Sequence, residues 1–200
     1  MFEWSPEHQF IREAVKRFID AELKPRLRDL EHGDLPPYEI MRKLVQTFGI
    51  DQMAKSRFEK DLDRDASDED RKESAQAMAM QMIPIIEICR YSPGFVTALG
   101  VSMGLTARAI MSRGTRAQKE KWALPLLTME KIGAWAITEP GSGSDAFGQM
   151  RSTARRDGDT YVLNGSKTFI TNGPYADTIV FICKLDEGNP PEARKIVSFI

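Results

Sequence analysis

The pattern of hydrophobic and polar positions changes at about residue 133, with helical periodicity before that point and short strands after it. Ser5 is a favourable helix cap and Pro6 is a favourable first helical residue. After them, apolar side chains recur every three to four positions. They are Phe10, Ile11, Ala14, Val15, Phe18, Ile19 and Leu23. Pro25 is expected to end this first helix. A second amphipathic helix is expected between Pro37 and Gly49, because a glycine suits the C-terminal cap.

Three more helices are expected before residue 133. The third should open at Ser67 and run through a methionine-rich segment with a kink at Pro84. The fourth should begin at Ser92 and end near Gly114. The fifth is short: Thr115 with Gln118 predicts a reciprocal capping box, and Pro125 is expected to end the helix. Residues 1–132 are therefore predicted to form an N-terminal all-α domain.

The second part of the chain has the features of strands separated by tight turns. Three turn dipeptides separate the short runs STARR, TYVL and KTFIT; they are Asp157-Gly158, Asn164-Gly165 and Asn172-Gly173. The run TIVFICKL is apolar on both alternations, which predicts a strand buried on both faces, and IVSFI begins a further strand. The predicted fold class is α+β, with the helical domain followed by an antiparallel β domain over residues 133–200. Because the sequence ends inside an apolar strand, we expect it to be truncated.

Composition and charge bear on partners and compartment. The 200-residue chain is 42% hydrophobic, has a formal net charge of −1 and a pI of about 6.2, which gives no electrostatic reason to expect nucleic acid or an anionic membrane. No uninterrupted apolar run approaches the about 20 residues that span a bilayer, and the first residues do not resemble a signal peptide. We expect a cytoplasmic protein. The distant Cys89 and Cys183, and the isolated His8 and His32, predict neither a disulfide nor a metal site.

A dense polar loop, ITEPGSGSD at residues 137–145, is the strongest candidate for chemistry. Gly141 and Gly143 lack a Cβ, so backbone amides there can approach a ligand closely. Thr138, Ser142 and Ser144 add hydroxyls that both donate and accept hydrogen bonds. Such a loop suits a phosphorylated or polar cofactor, although an ordinary surface turn uses the same residue types.

Parts of the sequence nearly match three familiar motifs. Aspartates at positions 61, 63 and 65 imitate the start of a calcium-binding EF-hand loop, but the required glycine is replaced by Ala66. The segment 141–146 fits a relaxed dinucleotide-binding fingerprint but is followed by turn signals instead of a helix. The loop serines lack the glycine spacing of a hydrolase nucleophile and have no nearby histidine. A solvated charged surface is the simpler interpretation in the first case, and serine hydrolysis is discarded.

Three segments in this order, GTRAQKEKWALPLL, TEPGSGSD and KTFITNG, together resemble the acyl-CoA dehydrogenase family. The resemblance is strong over residues 90–200 and loose over the N-terminal helices, where the charged stretch 51–73 resembles a variable insertion. It implies FAD as cofactor and removal of two hydrogens across the α and β carbons of an acyl-CoA, giving the enoyl-CoA and passing a hydride to the flavin. It also implies an electron-transfer flavoprotein as acceptor and a homodimer or homotetramer.

The resemblance also implies which residues bind the cofactor. Thr138 would hydrogen-bond the flavin ring, Gly143 and Ser144 would form the turn beside the diphosphate, and Phe169 would pack on the ring in a second flavin strand. Ser144 would also meet the thioester end of the substrate. The full implied set is Trp135, Ile137, Thr138, Gly143, Ser144, Phe169, Ile170 and Thr171. Many family members have tryptophan where this chain has Phe169; phenylalanine keeps the stacking face and loses the indole donor. Trp135 and Phe169 could equally be core aromatics.

The catalytic base is expected outside this sequence. In the family it is a glutamate of a C-terminal helical bundle, beyond residue 200, so no catalytic residue is assigned and Glu139 and Asp145 are expected to hold the loop. The alternative hypothesis is a non-catalytic flavin or acyl-CoA binding subunit, or a fragment that lacks the base. A smaller third option is a relative that oxidises nitroalkanes or reduces oxygen. The acyl chain length is not assigned.

Overall fold

The computed structural model describes residues 4–62 and 75–200. The chain divides into two compact units, residues 1–100 and residues 101–200. The expected helix start at Ser67, and Asp63 and Asp65 of the calcium-like loop, lie outside the described residues.

The described part of the first unit is helical. Its helices are α1 (Pro6–Phe18), α2 (Leu27–His32), α3 (Tyr38–Thr47), α4 (Ile50–Leu62), α5 (Ala75–Cys89) and α6 (Pro93–Leu99). The predicted start of α1 is confirmed: Ser5 Oγ accepts from the amide of His8, and His8 Nδ1 accepts from the amide of Ser5, both over 3.3 Å. Gly49 follows α3 with a φ of 65°, as its predicted capping role requires. Helix α4 was not predicted, because its surface is mostly charged.

Prolines 25 and 125 do not end their helices, so both predicted stops are wrong. A π-helical turn, Ile19–Leu23, precedes Pro25 and leads through a 3₁₀ turn, Lys24–Arg26, into α2. A second π-helical turn, Lys119–Ala123, precedes Pro125 in the same way. A proline ring normally collides with the carbonyl four residues earlier. The wider π turn displaces those carbonyls, and the helical path can continue.

The second unit contains short helical segments followed by five strands. After a π-helical segment, Gly100–Thr106, come α7 (Ala107–Arg113), α8 (Arg116–Gln118) and α9 (Leu124–Leu127). The capping box at the start of α8 is confirmed: Thr115 Oγ1 accepts from the amide of Gln118, and Gln118 Oε1 accepts from the amide of Thr115. The strands are β1 (Gly133–Ala136), β2 (Thr153–Asp157), β3 (Thr160–Asn164), β4 (Thr178–Asp186) and β5 (Ile196–Phe199).

The α+β class is confirmed, but the sheet is mixed and not wholly antiparallel. β1 and β2 run parallel to successive parts of β4, with Gly133 opposite Thr178 and Thr153 opposite Lys184. The β2–β3 hairpin and the β4–β5 pair are antiparallel. The expected strand KTFIT is a loop, and the Asn164-Gly165 dipeptide does not form a hairpin turn. Long connections on both sides of the β2–β3 hairpin replace the expected tight turns, and they allow parallel pairing.

One face of β4 packs on the helices of its unit. Val180 and Ile182 belong to a buried cluster with residues of α7 and the helical segment before β1; its other members are Ala107, Ile110, Ala123, Leu126 and Met150. The expectation that β4 is buried on both faces fails at Ile179, which is 39% exposed. The helical segments of this unit therefore supply one apolar layer for the strand.

One helical segment meets the length and composition criterion for a membrane span, which the sequence analysis did not predict. Residues 93–113 are long and apolar enough to cross a bilayer by length and composition alone. Core helices of soluble proteins meet the same criterion, so this helix gives weak evidence about location.

Gly165 is required where the chain leaves β3. Its φ is 154°, a value that disfavours side chains, and a Cβ at this position would lie 2.1 Å from the buried Ser152 Oγ. This close approach brings the segment after β3 against the start of β2.

We expect Gly165→Ala to lower the free energy of unfolding by about 2 to 3 kcal/mol, because strain and a steric clash add. The measurement is chemical denaturation. Gly188→Ala is the matched control, since Gly188 has a φ of 86° but open space around its Cβ position, and it should cost about 1 kcal/mol. Equal losses in the two variants would contradict the close packing at Gly165.

Candidate functional site

The polar loop after β1 is held by its own hydrogen bonds. Glu139 and Ser142 exchange reciprocal backbone hydrogen bonds of 3.0 Å, which place Pro140 and Gly141 at the tip of a tight turn. Ser142 Oγ donates to the carbonyl of Asp145 over 2.6 Å, and the Asp145 carboxylate accepts from the amide of Gly148. Asp145 therefore holds the loop, as the sequence suggested.

Gly143 and Ser144 present open backbone in this loop. Both residues are exposed, and their amides have no hydrogen-bond partner among the described residues. A Cβ at Gly141 or Gly143 would meet nothing within 4 Å. Consecutive free amides next to open space are suited to donate hydrogen bonds to the oxygens of an anion.

The structure places the two polar motifs side by side, although they are 30 residues apart. The amide of Thr168 donates to the carbonyl of Thr138 over 2.9 Å, and Thr138 Oγ1 donates to the carbonyl of Thr168 over 2.5 Å. Lys167 Nζ donates to the carbonyl of Ile137 over 2.9 Å. Segment 137–139 and segment 167–169 therefore form one paired unit at the end of β1.

Phe169 is exposed and conformationally unusual. Its side chain is 92% exposed and its φ is 55°, a left-handed value that is costly for a bulky residue. Asn172 is also left-handed, with a φ of 67°. These two residues break the extended conformation, so Phe169, Ile170 and Thr171 lie in a loop and the predicted second flavin strand is wrong. A strained, exposed aromatic residue is characteristic of ligand contacts.

The other predicted residues lie around this paired unit. Trp135 and Ile137 are half-buried and pack on the core cluster of the sheet, while Ile170 and Thr171 are half-buried in the loop. Asn172, expected to be only a turn residue, donates from Nδ2 to the carbonyl of Gly133 over 2.9 Å and so fixes the end of the loop to β1. The ligand roles of the predicted residues remain predictions.

A buried ion pair joins the two segments. Lys167 Nζ lies 2.9 Å from Glu139 Oε1, and both side chains are less than a tenth exposed. The Glu139 carboxylate also accepts from the amides of Arg151 and Ser152 over 2.8 and 2.9 Å. Sequence reasoning assigned Glu139 a structural role but missed Lys167. The available signal was a single cation in the otherwise uncharged run from Asn164 to Tyr175.

The hydrogen bonds around Glu139 determine its protonation. Burial alone would raise the pKa of its carboxyl group, but the hydrogen bonds from Ser152, Lys167 and the amide of Arg151 outweigh burial and lower the pKa to about 2. Glu139 is therefore a charged anchor at neutral pH and a poor general base.

A helical region followed by a mixed sheet defines an α+β protein, and an open polar loop paired to a segment with an exposed aromatic makes the end of β1 the candidate ligand site. Family models describe the same two regions. The acyl-CoA dehydrogenase N-terminal domain matches residues 68–130, and the acyl-CoA dehydrogenase middle domain matches residues 134–200. The chain belongs to the acyl-CoA dehydrogenase family.

Individual relatives agree with this assignment. The short-chain specific acyl-CoA dehydrogenase of Clostridium acetobutylicum is 32% identical over 92% of this chain and 45% of its own length. The caffeyl-CoA reductase-Etf complex subunit CarC of Acetobacterium woodii is 33% identical over 92% of this chain and 45% of its own. The crystal structure of an acyl-CoA dehydrogenase complexed with FAD from Bacillus anthracis superposes with a TM-score of 0.65 at 28% identity, covering 98% of this chain and 31% of that one. The chain thus spans about half the length of the curated relatives it matches.

The lowered pKa of Glu139 predicts acid sensitivity. Since the folded pKa of about 2 lies below the unfolded value of about 4.5, the stabilisation is complete above pH 4.5 and is lost as the pH falls towards 2. We expect roughly 3 kcal/mol of the free energy of unfolding to disappear over this window. Denaturation curves between pH 5 and 2 measure the loss. Glu139→Gln should remove this part of the pH dependence; an unchanged slope in that variant would contradict the assignment.

Proposed function

We propose that this chain forms the flavin-binding site of an FAD-dependent dehydrogenase that converts an acyl-CoA thioester to the enoyl-CoA. This site, called the flavin seat below, comprises residues 135–144 and 169–171. The observation that carries this proposal is the pairing of segment 137–139, where the loop with the open amides begins, with segment 167–169, which carries the exposed Phe169. Family membership supports the reaction class, and the FAD complex of the Bacillus anthracis relative supports the cofactor.

The residues present fit FAD. A planar ring needs an aromatic or apolar surface that is free to stack, and Phe169 offers an almost fully exposed ring. A diphosphate needs unpaired donors without obstructing side chains, and the amides of Gly143 and Ser144 meet that requirement. Thr138 Oγ1, whose proton is donated to Thr168, retains lone pairs that can accept a hydrogen bond from the ring.

The chain's residues act by binding and orientation. Trp135, Ile137, Ile170 and Thr171 would line the ring site, with Phe169 packed on one face of the ring. Ser144 would also contact the thioester end of the substrate. When bound, FAD supplies the acceptor for the hydride that leaves the β-carbon. The proton on the α-carbon requires a carboxylate base in a dry site, and we propose that this base lies outside residues 1–200.

Partners and organisation form part of the same proposal. We propose a homodimer or homotetramer in the cytoplasm that passes electrons to an electron-transfer flavoprotein; the Etf complex named for the Acetobacterium woodii relative supports the last point. We also propose a helical domain over residues 1–132 and the first part of a flavin-binding β domain over 133–200. The family models, which end at residue 130 and begin at residue 134, support this boundary.

The reaction is tested on the protein purified in its complete natural form. Its visible spectrum is recorded anaerobically while short, medium, branched and aromatic acyl-CoAs are added. Bleaching of a bound flavin is expected with at least one thioester. A flavin that none of them bleaches would favour a non-catalytic binding subunit, and absence of flavin would overturn the proposal.

We expect Phe169→Ala to weaken FAD binding roughly threefold to tenfold, the amount that an aromatic stacking contact contributes. The melting temperature of the flavin-free protein should not change, because the side chain is exposed. Fluorescence titration with FAD measures the affinity. The matched control is Phe10→Ala, which removes another exposed phenylalanine, 72% exposed and on helix α1. Equal affinities in both variants would contradict the stacking role.

A further inference from the structure

Lys167 has three contacts that no simple surface charge would have. Its ammonium donates to the carbonyl of Ile137 and to Glu139 Oε1, each over 2.9 Å. It also lies over the ring of Phe181 on β4, 5.2 Å from the ring centre. The side chain is 5% exposed, so its position is fixed by the protein and not by solvent.

These contacts join the two paired segments of the proposed seat. Ile137 directly precedes Thr138, and Lys167 directly precedes Thr168, the residue that exchanges two hydrogen bonds with Thr138. Glu139 begins the tight turn that leads to Gly143, and it also binds the amides at the far end of the loop. A single ammonium therefore joins the two segments on the side next to the Thr138–Thr168 hydrogen bonds.

The conformation of Phe169 depends on the same contacts. A phenylalanine with a φ of 55° persists only where neighbouring interactions hold its backbone. The two residues before it, Lys167 and Thr168, are fixed by their hydrogen bonds to segment 137–139, and Asn172 fixes the chain after it through Gly133. Loss of the ammonium would remove two of the hydrogen bonds that restrain the backbone before Phe169.

We propose that Lys167 is a positioning residue of the flavin seat, which holds segment 137–139 against segment 167–169 and so orients Phe169 for ring stacking. This inference rests on the proposed function. Lys167 contacts no reacting atom; it acts through Ile137, Glu139 and Thr168. A purely structural lysine would balance the charge of Glu139 and nothing more.

The test separates positioning from charge balance in the complete protein. Lys167→Met alone leaves the Glu139 carboxylate buried without its cation, and such a variant is destabilised. The double variant Lys167→Met with Glu139→Gln removes both charges and should fold, which far-UV circular dichroism checks. The loss of FAD affinity in the double variant beyond that in Glu139→Gln alone is assigned to Lys167. Lys131→Met is the control, since Lys131 forms an exposed pair with Asp177 over 3.8 Å in the same unit.

Two measurements test the positioning role: FAD binding with the visible circular dichroism of the flavin, and amide hydrogen exchange. We expect the double variant to bind FAD about tenfold more weakly or worse, with altered visible circular dichroism of the flavin, because a displaced supporting contact misplaces the site. In the flavin-free protein, amide hydrogen exchange in residues 165–171 should become faster while β4 and β5 keep their protection. The control should match the natural protein in both measurements.

Failure of the positioning role and failure of the proposed function give different results. A folded double variant with natural FAD affinity overturns the positioning role and leaves the proposed function intact. A double variant that loses its fold also overturns it, because Lys167 would then be needed for folding. A natural protein without affinity for FAD overturns the proposed function, and the inference with it.

Discussion

The buried pair of Glu139 and Lys167 is the interaction on which the organisation of the site depends. Two charges removed from water are costly unless each has further hydrogen bonds, and here the carboxylate has two backbone amides and the ammonium has a carbonyl. The pair therefore fixes loops that have little regular structure of their own. Long loops near a sheet edge commonly carry function when a rigid anchor positions them.

The sheet provides that anchor through its mixed topology. β4 is central: β1 and β2 pair with it in parallel, β5 pairs with it in antiparallel, and its buried face packs on short helices. Parallel pairing requires long connections, and both polar motifs lie in such connections. The site is thus a consequence of the topology, since hairpin turns in these places would leave no room for a ligand-binding loop.

Strain and open backbone are concentrated in the same connections. Phe169 holds a left-handed conformation with an exposed ring, and the amides of Gly143 and Ser144 have no partner within the part of the chain that the structure describes. Each feature is unfavourable for stability alone, and together they are typical of a surface prepared for a ligand. Local rules are followed closely at other points of the described chain, as the reciprocal caps at Ser5 and Thr115 illustrate.

The sequence by itself determined the α+β class, the helix starts after Ser5, Ser92 and Thr115, and the candidate polar loop, because caps, turn dipeptides and periodicity act over a few residues. It also carried the family resemblance through its local motifs. Only the tertiary structure decided that helices pass Pro25 and Pro125, that KTFIT is a loop, and that Lys167 pairs with Glu139. These outcomes depend on contacts between residues far apart in the chain, where packing and burial outweigh local preference.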